Sequence, residues 1–549
     1  MTDTDSARRG DAAPLWWRGG VVYQIYPRSF QDSNGDGIGD LRGILSRLDY
    51  LNDGSERSLG IDAIWLSPTF PSPMKDFGYD VSDYRGVHPD FGDLAAMDDL
   101  IAACHRRDIR LLLDFVPNHS SDQHPWFVES RSGRHNPKRD WYYWRDPAPG
   151  GGPPNNWVSA FGGGAWQWDA ATGQYYLHSF LKEQPDLNWR NPEVVAAMHD
   201  TLRFWLRRGI DGFRIDVMGM VLKDPRMRDN PPNPEWGPDA GMPERFSQIW
   251  LYNRNWPEVI DAVRGIRAVL DEFPERMAVG EVFGPPETLA WYLGGEALDG
   301  LHLAFDFHLI GGYGTGHTPW NAAAFRERVD AGQAALPAGA VPAYVLGNHD
   351  QSRLVSRYGR EAAPPAAMLL LTLPGTPFVY YGEEIGMADV PIDEAQARDP
   401  ARHRAIGRDP ERTPMQWDAS AGAGFSSGPP WLPLGDPSVN VAAQTNGAGS
   451  LLSLYRRLIW LRKRSAALRG GSYASLAETP AEVFAFVREA ARQRALVAIN
   501  FAGKPAALRL SADLANAPIA CSTVAGRQGE YPAGGQLELG PHEGCVLLT

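Results

Sequence analysis

Short, largely apolar runs recur along the chain, with amphipathic stretches between them. Residues 21–26, 63–66, 111–116, 212–217, 277–282, 303–307, 343–346 and 377–381 each read as a short buried strand. Between them apolar residues repeat at helical spacing: Leu41, Ile44, Leu45, Leu48 and Leu51 share one face, and Leu94, Met97, Leu100, Ile101 and Cys104 another. One helix is punctuated at both ends. Asn191 stands as N-cap and Pro192 at the first helical position; Val194, Val195, Met198, Leu202 and Trp205 follow along its apolar side, and Gly209 terminates it. Eight strands alternating with helices predict an α/β fold, a parallel (β/α)8 TIM barrel rather than an open sheet.

The intervals are uneven. Residues 118–187 are too long and too rich in Gly, Pro, Asn, Trp and Tyr for a loop, which predicts a subdomain inserted after strand three. The last amphipathic helix runs to Gly470-Gly471, and alternating segments beyond it (483–487 and 495–499) predict a small antiparallel β domain. The expected division is therefore barrel at 1–117, insert at 118–187, barrel again at 188–470 and a C-terminal β domain at 471–549.

Three of the strand candidates turn abruptly from apolar to ionisable at their ends. They are Gly212-Phe213-Arg214-Ile215-Asp216, Val279-Gly280-Glu281 and Leu346-Gly347-Asn348-His349-Asp350. In a barrel the C-terminal ends of the strands open on one cleft, so these carboxylates are expected to converge there. Two carboxyl groups about 5 Å apart can act as nucleophile and acid on an acetal.

Charge and composition narrow the partners. Lys and Arg number 53 against 66 Asp and Glu, a net charge of −13, which argues against nucleic acid and suits a neutral substrate. Three cysteines, Cys104, Cys521 and Cys545, make no disulfide framework and fit a reducing compartment. The first twenty residues lack the apolar stretch of a signal peptide, and the longest apolar run, 366–373, is too short to span a membrane; a cytoplasmic protein is expected. Many of the 19 tryptophans crowd between Trp141 and Trp189, where they could stack on sugar rings or pack a small core.

Taken together, the motifs resemble those of glycoside hydrolase family 13, the α-amylase family, from about Val21 to the C-terminus. Asp114-Phe115-Val116-Pro117-Asn118-His119 resembles the first family motif and the segment ending at Asp216 the second, while Glu281 and His349-Asp350 match the third and fourth. Gln184-Pro185-Asp186-Leu187-Asn188 resembles the motif of the α-glucosidase and oligo-1,6-glucosidase branch. The resemblance implies Asp216 as nucleophile, Glu281 as acid and Asp350 as the third carboxylate, with Arg214 keeping Asp216 ionised. It implies that His119 and His349 donate to glucose hydroxyls. Tyr79 would stack on the sugar and Asp76 bind the non-reducing end with Arg412 as its partner, while Phe161 flanks the scissile bond. A pocket closed in this way implies exo-cleavage of short α-glucosides, by hydrolysis or by glucosyl transfer to another acceptor. Val217, directly after the nucleophile, resembles enzymes that accept α-1,6 bonds. A non-catalytic family member, such as a transporter subunit, would lack the acid and the nucleophile that this chain keeps.

The segment from Asp32 to Asp40 alternates oxygen-bearing side chains with small residues, an arrangement that wraps a hard cation. It departs from an EF-hand because its twelfth position is Gly43. It resembles the metal loop of oligo-1,6-glucosidases, which implies a structural Ca2+, with Mg2+ able to substitute, held by Asp32, Asn34, Asp36, the Ile38 carbonyl and Asp40. Oligomeric state leaves no sign in the sequence.

Overall fold

A computed structural model describes residues 15–237, 242–311, 316–401 and 407–549. The first fourteen residues, on which much of the leader reading rests, lie outside the described residues.

Eight parallel strands close into a barrel: Val22–Ile25, Ala63–Leu66, Arg110–Phe115, Gly212–Ile215, Met277–Gly280, Leu303–Asp306, Ala343–Val345 and Thr376–Tyr380. Neighbours around the barrel are neighbours in strand order, and strand one closes on strand eight through Val22 opposite Phe378. These strands are buried on both sides, which is why they read as unbroken apolar runs. Most stop a residue or more short of the predicted runs, so Asp216 and Glu281 stand just past the last rung of the ladder.

The capped helix spans Pro192–Arg208; the Asn191 side chain accepts from the Glu193 amide, and Gly209 ends it at φ 109°. Between strands three and four, Trp144–Arg145, Gln174–Leu177 and Trp166–Asp169 form a three-stranded antiparallel sheet. Its tryptophans decide the open question of their use: Trp141, Trp144, Trp157, Trp166 and Trp189 are buried, and Trp168 alone of this group is exposed. They pack the insert.

At the C-terminus, Ser472–Ser475, Val483–Ala490, Gln493–Asn500, Gly544–Leu548 and Ile519–Ser522 form a five-stranded antiparallel sheet in that spatial order. The alternation read in 483–487 does not separate core from solvent, because both faces are covered. Phe484 and Phe486 join the barrel's core, whereas Val483, Ala485 and Val487 build a second core with Leu496, Ala498 and Leu547. No helix among the described residues is long and apolar enough to cross a membrane.

Candidate active site

Strand register brings the carboxylates together. Ile215 pairs with Gly280, so the next residues, Asp216 and Glu281, leave adjacent strands at one level. Two backbone bonds hold the level beyond the ladder: the Glu281 amide donates to the Ile215 carbonyl at 2.9 Å, and the Met218 amide to the Glu281 carbonyl at 3.2 Å. Arg214, two residues before Asp216, projects on the same face as that carboxylate. Its guanidinium donates to Asp216 Oδ1 at 2.7 Å, Asp114 Oδ1 at 2.8 Å and Glu281 Oε2 at 2.7 Å. One buried cation therefore gathers three carboxyls. The Val217 amide donates to Glu281 Oε2 at 3.1 Å. Val217 itself lies at φ 34°, ψ 47°, a left-handed backbone that a β-branched residue adopts only under strain.

Asp216, Glu281, Asp350, Asp76 and Phe161 line one cavity of about 290 Å³. Burial is the largest influence on its acids and pushes Asp216 and Glu281 above the usual carboxylate range, with Arg214 pulling both back. Their mutual repulsion adds to the rise in Asp216. A pair so placed favours holding a single proton, the state that an acid and a nucleophile need together. Asp350 goes the other way. Burial works against its charge, but the Arg408 and Arg412 guanidiniums, each 2.9 Å from Oδ1, outweigh it and hold the carboxyl below its ordinary range.

His119 and His349 are buried, and burial lowers the pKa of both, to about 4 in His119, so each ring is neutral near pH 7. His349 meets Gln24 through Nδ1 at 2.8 Å and the Tyr79 hydroxyl through Nε2 at 2.7 Å. The Tyr79 ring lies parallel to that of His349, with centroids 5.5 Å apart, and its hydroxyl also reaches Asp114 at 3.1 Å. His119 sits against Gln184, whose amide donates to Asp76 at 3.0 Å. Phe161 packs edge-on to Phe180 at 5.4 Å and under the Arg408 guanidinium at 5.2 Å.

One expected pairing is corrected. Arg408, not Arg412, pairs with Asp76, at 2.6 Å, and it also meets Asp350 at 2.9 Å. Arg412 turns to Asp350 Oδ1 at 2.9 Å and the His349 carbonyl at 2.7 Å. Arg408 caps the N-terminus of one short 3-10 turn, Asp409–Arg412, and Arg412 is its last residue, so the turn sets both guanidiniums beside Asp350. The sequence does show two arginines four apart, but spacing alone does not say which one reaches Asp76. Asp114 and Gln184 stood inside quoted motifs without a role, and the contacts now give each one. Lys223 carried no sequence signal; it is fully buried and bridges Asp186 at 2.6 Å and Asn118 at 2.9 Å.

The Asp32–Asp40 segment folds onto its own amides. Asp32 accepts from the amides of Asn34, Gly35 and Gly37 and from the Ser426 hydroxyl; Asn34 accepts from the Asp36 amide, and Asp36 from that of Ile38. Asp40 caps the helix Leu41–Ser46 and binds Ser33. Although burial raises the Asp32 pKa, these hydrogen bonds bring it below the ordinary value, so the group stays ionised. Three carboxylates, an amide and a carbonyl are a hard-oxygen donor set that suits Ca2+ or Mg2+. No group of three or more His, Cys, Asp or Glu side chains with metal-holding geometry occurs among the described residues.

The family model described as the alpha-amylase catalytic domain matches residues 24–471. A probable alpha-glucosidase of Rhizobium meliloti is 43% identical over 90% of this chain and 91% of its own length. An oligo-1,6-glucosidase of Parageobacillus thermoglucosidasius is 39% identical over 90% and 92% respectively. Among solved structures, an alpha-glucosyl transfer enzyme, XgtA, superposes with a TM-score of 0.89 at 40% identity, covering 98% of this chain and 100% of that one. The trehalulose synthase MutB of Pseudomonas mesoacidophila gives a TM-score of 0.86 at 35% identity, over 98% and 100%. With the matched domain laid over the barrel and its cluster of carboxylates, the chain belongs to the α-amylase family of glycoside hydrolases.

Proposed function

We propose that the protein is a retaining, exo-acting α-glucosidase that removes terminal non-reducing glucose from short α-glucosides. The carrying observation is the single Arg214 guanidinium shared by Asp216 and Glu281, which brings both carboxyls to one cavity. In this reading Asp216 attacks the anomeric carbon to give a β-glucosyl-aspartate. Glu281 protonates the leaving oxygen and then, as a base, draws a proton from the incoming water. Asp350, held ionised by Arg408 and Arg412, accepts from sugar hydroxyls. Asp76 and Arg408 close the far end of the pocket, so only a chain end enters.

Transfer of the glucosyl group to a sugar or alcohol is the second reading, favoured by the likeness to XgtA. Both use the same covalent intermediate and differ in what captures it. Incubation with maltose, isomaltose, sucrose, trehalose and starch, with products and anomeric form followed over time, separates them. Free α-glucose from maltose or isomaltose supports hydrolysis; new glucosides or isomerised sucrose support transfer. No product from any of the five would overturn both.

The Asp32–Asp40 loop is proposed as a structural cation site, since it follows strand one and holds none of the groups assigned to the chemistry. Chelation is expected to lower the melting temperature and leave the pH profile of the remaining folded enzyme unchanged; re-adding Ca2+ should restore it. An identical melting temperature with and without chelator would remove the metal from the account.

A further inference from the structure

We infer that Asp399 is a positioning residue: it grips Arg408 so that the same guanidinium closes the pocket on Asp76 and Asp350. The inference rests on the exo-glucosidase reading and adds to it a residue that never touches the sugar.

Arg408 is shared by three carboxylates. Asp399 takes it in two bonds, Nε to Oδ2 at 2.8 Å and Nη2 to Oδ1 at 2.8 Å, while Nη2 also reaches Asp76 at 2.6 Å and Nη1 reaches Asp350 at 2.9 Å. A planar fork held at both prongs by one carboxylate has its plane fixed, and that plane decides where the remaining hydrogens point. Asp399 is itself anchored. It accepts the Arg408 amide at 2.6 Å and the Ala401 amide at 3.2 Å, and its own amide donates to Asp409 at 3.0 Å. Its side chain is fully buried.

Gly407 shows that the approach is built. It lies at φ 67°, and a Cβ there would stand 2.6 Å from the Asp399 Cβ and 2.7 Å from Oδ2. A side chain at this position would drive the carboxylate off the guanidinium.

The arrangement has an electrostatic consequence at Asp76. Burial, the largest cause, raises this carboxyl to about 6; Arg408 and Arg412 pull it down, and the Asp399 charge pushes it back up. Gln184 donates to it, Asp80 accepts the Asp76 amide, and the nearby His119 ring is neutral. Asp399 and Asp76 thus compete for one cation. Because the ionised form of Asp76 is the one that accepts from a sugar hydroxyl, kcat/KM is expected to fall as pH drops through about 6. Removing the Asp399 charge leaves more of Arg408 to Asp76, lowers the Asp76 pKa and moves that limb to lower pH.

The test is kinetics of Asp399→Asn and Gly407→Ala on maltose and isomaltose between pH 4.5 and 8, beside wild type, with melting temperatures. Both variants are expected to raise KM about tenfold or more, with the smaller change in kcat, since a buried charge pair loses a partner. Asp399→Asn should also carry the acid limb of kcat/KM downward. Folded variants with wild-type KM and an unmoved limb would overturn the inference, as would a loss confined to kcat. If Asp399→Asn does not fold, Gly407→Ala decides alone by its KM. A wild type that releases no glucose from either sugar fails the underlying reading instead, which keeps the two failures distinct.

Discussion

Asp216→Asn is expected to lower kcat by on the order of 10⁴-fold or more on every α-glucoside, while the melting temperature stays near that of wild type. The amide cannot bond to the anomeric carbon, and it sits where Arg214 still finds an oxygen to contact at the 2.7 Å now spanned to Asp216. Glu281→Gln should behave differently. With maltose, whose leaving oxygen needs a proton, the loss should fall at roughly 10²–10⁴-fold. With an aryl glucoside whose leaving group departs unaided, glucosyl-enzyme formation should recover much of its rate and the intermediate accumulate, because the base for its hydrolysis is missing. Measuring kcat on both substrates for both variants separates the roles. If the two behave alike across leaving groups, the assignment of acid and nucleophile is wrong.

The second large effect is expected from Arg214→Met. This residue is about 1% exposed, and its side chain bonds Asp114, Asp216 and Glu281. Its removal leaves three buried carboxyls facing one another without a cation, which costs about 3–5 kcal/mol when a buried pair is broken in this way. The sign with pH follows. In the variant these acids have folded pKa values raised further above their unfolded values, so the folded state binds protons more readily than the unfolded chain. The penalty is then full above the raised folded values and shrinks as pH falls toward the unfolded ones. The melting gap between variant and wild type should therefore be wider at pH 8 than at pH 5. An equal gap at both would show that packing, not charge, is what Arg214 supplies. Arg214→Lys keeps a positive charge but not the planar fork that reaches three partners, and it should retain fold better than activity.

The effects above all depend on contacts between segments far apart in the chain, and they show how far the linear order of residues reaches. Strand and helix were legible because burial on both faces of a parallel sheet leaves an unbroken apolar run, and because caps such as Asn191 and Gly209 act within a few residues of the chain. The strand-end acids were legible for the same reason: Asp216 and Glu281 each break a run that would otherwise continue. Local physics, acting over the length of one element, is written in local composition. Partner choice is not. Whether Arg408 or Arg412 meets Asp76, whether the tryptophans of the insert face sugar or one another, and whether the strand 483–490 has a wet side were all settled by what packs on top. The same holds for Lys223 between Asp186 and Asn118, and for the turn at Gly407 that admits Asp399. Such contacts depend on side-chain direction and distance across three dimensions, set by register and by the closure of the barrel, and a guanidinium selects among several carboxylates only once the fold has placed them within about 3 Å.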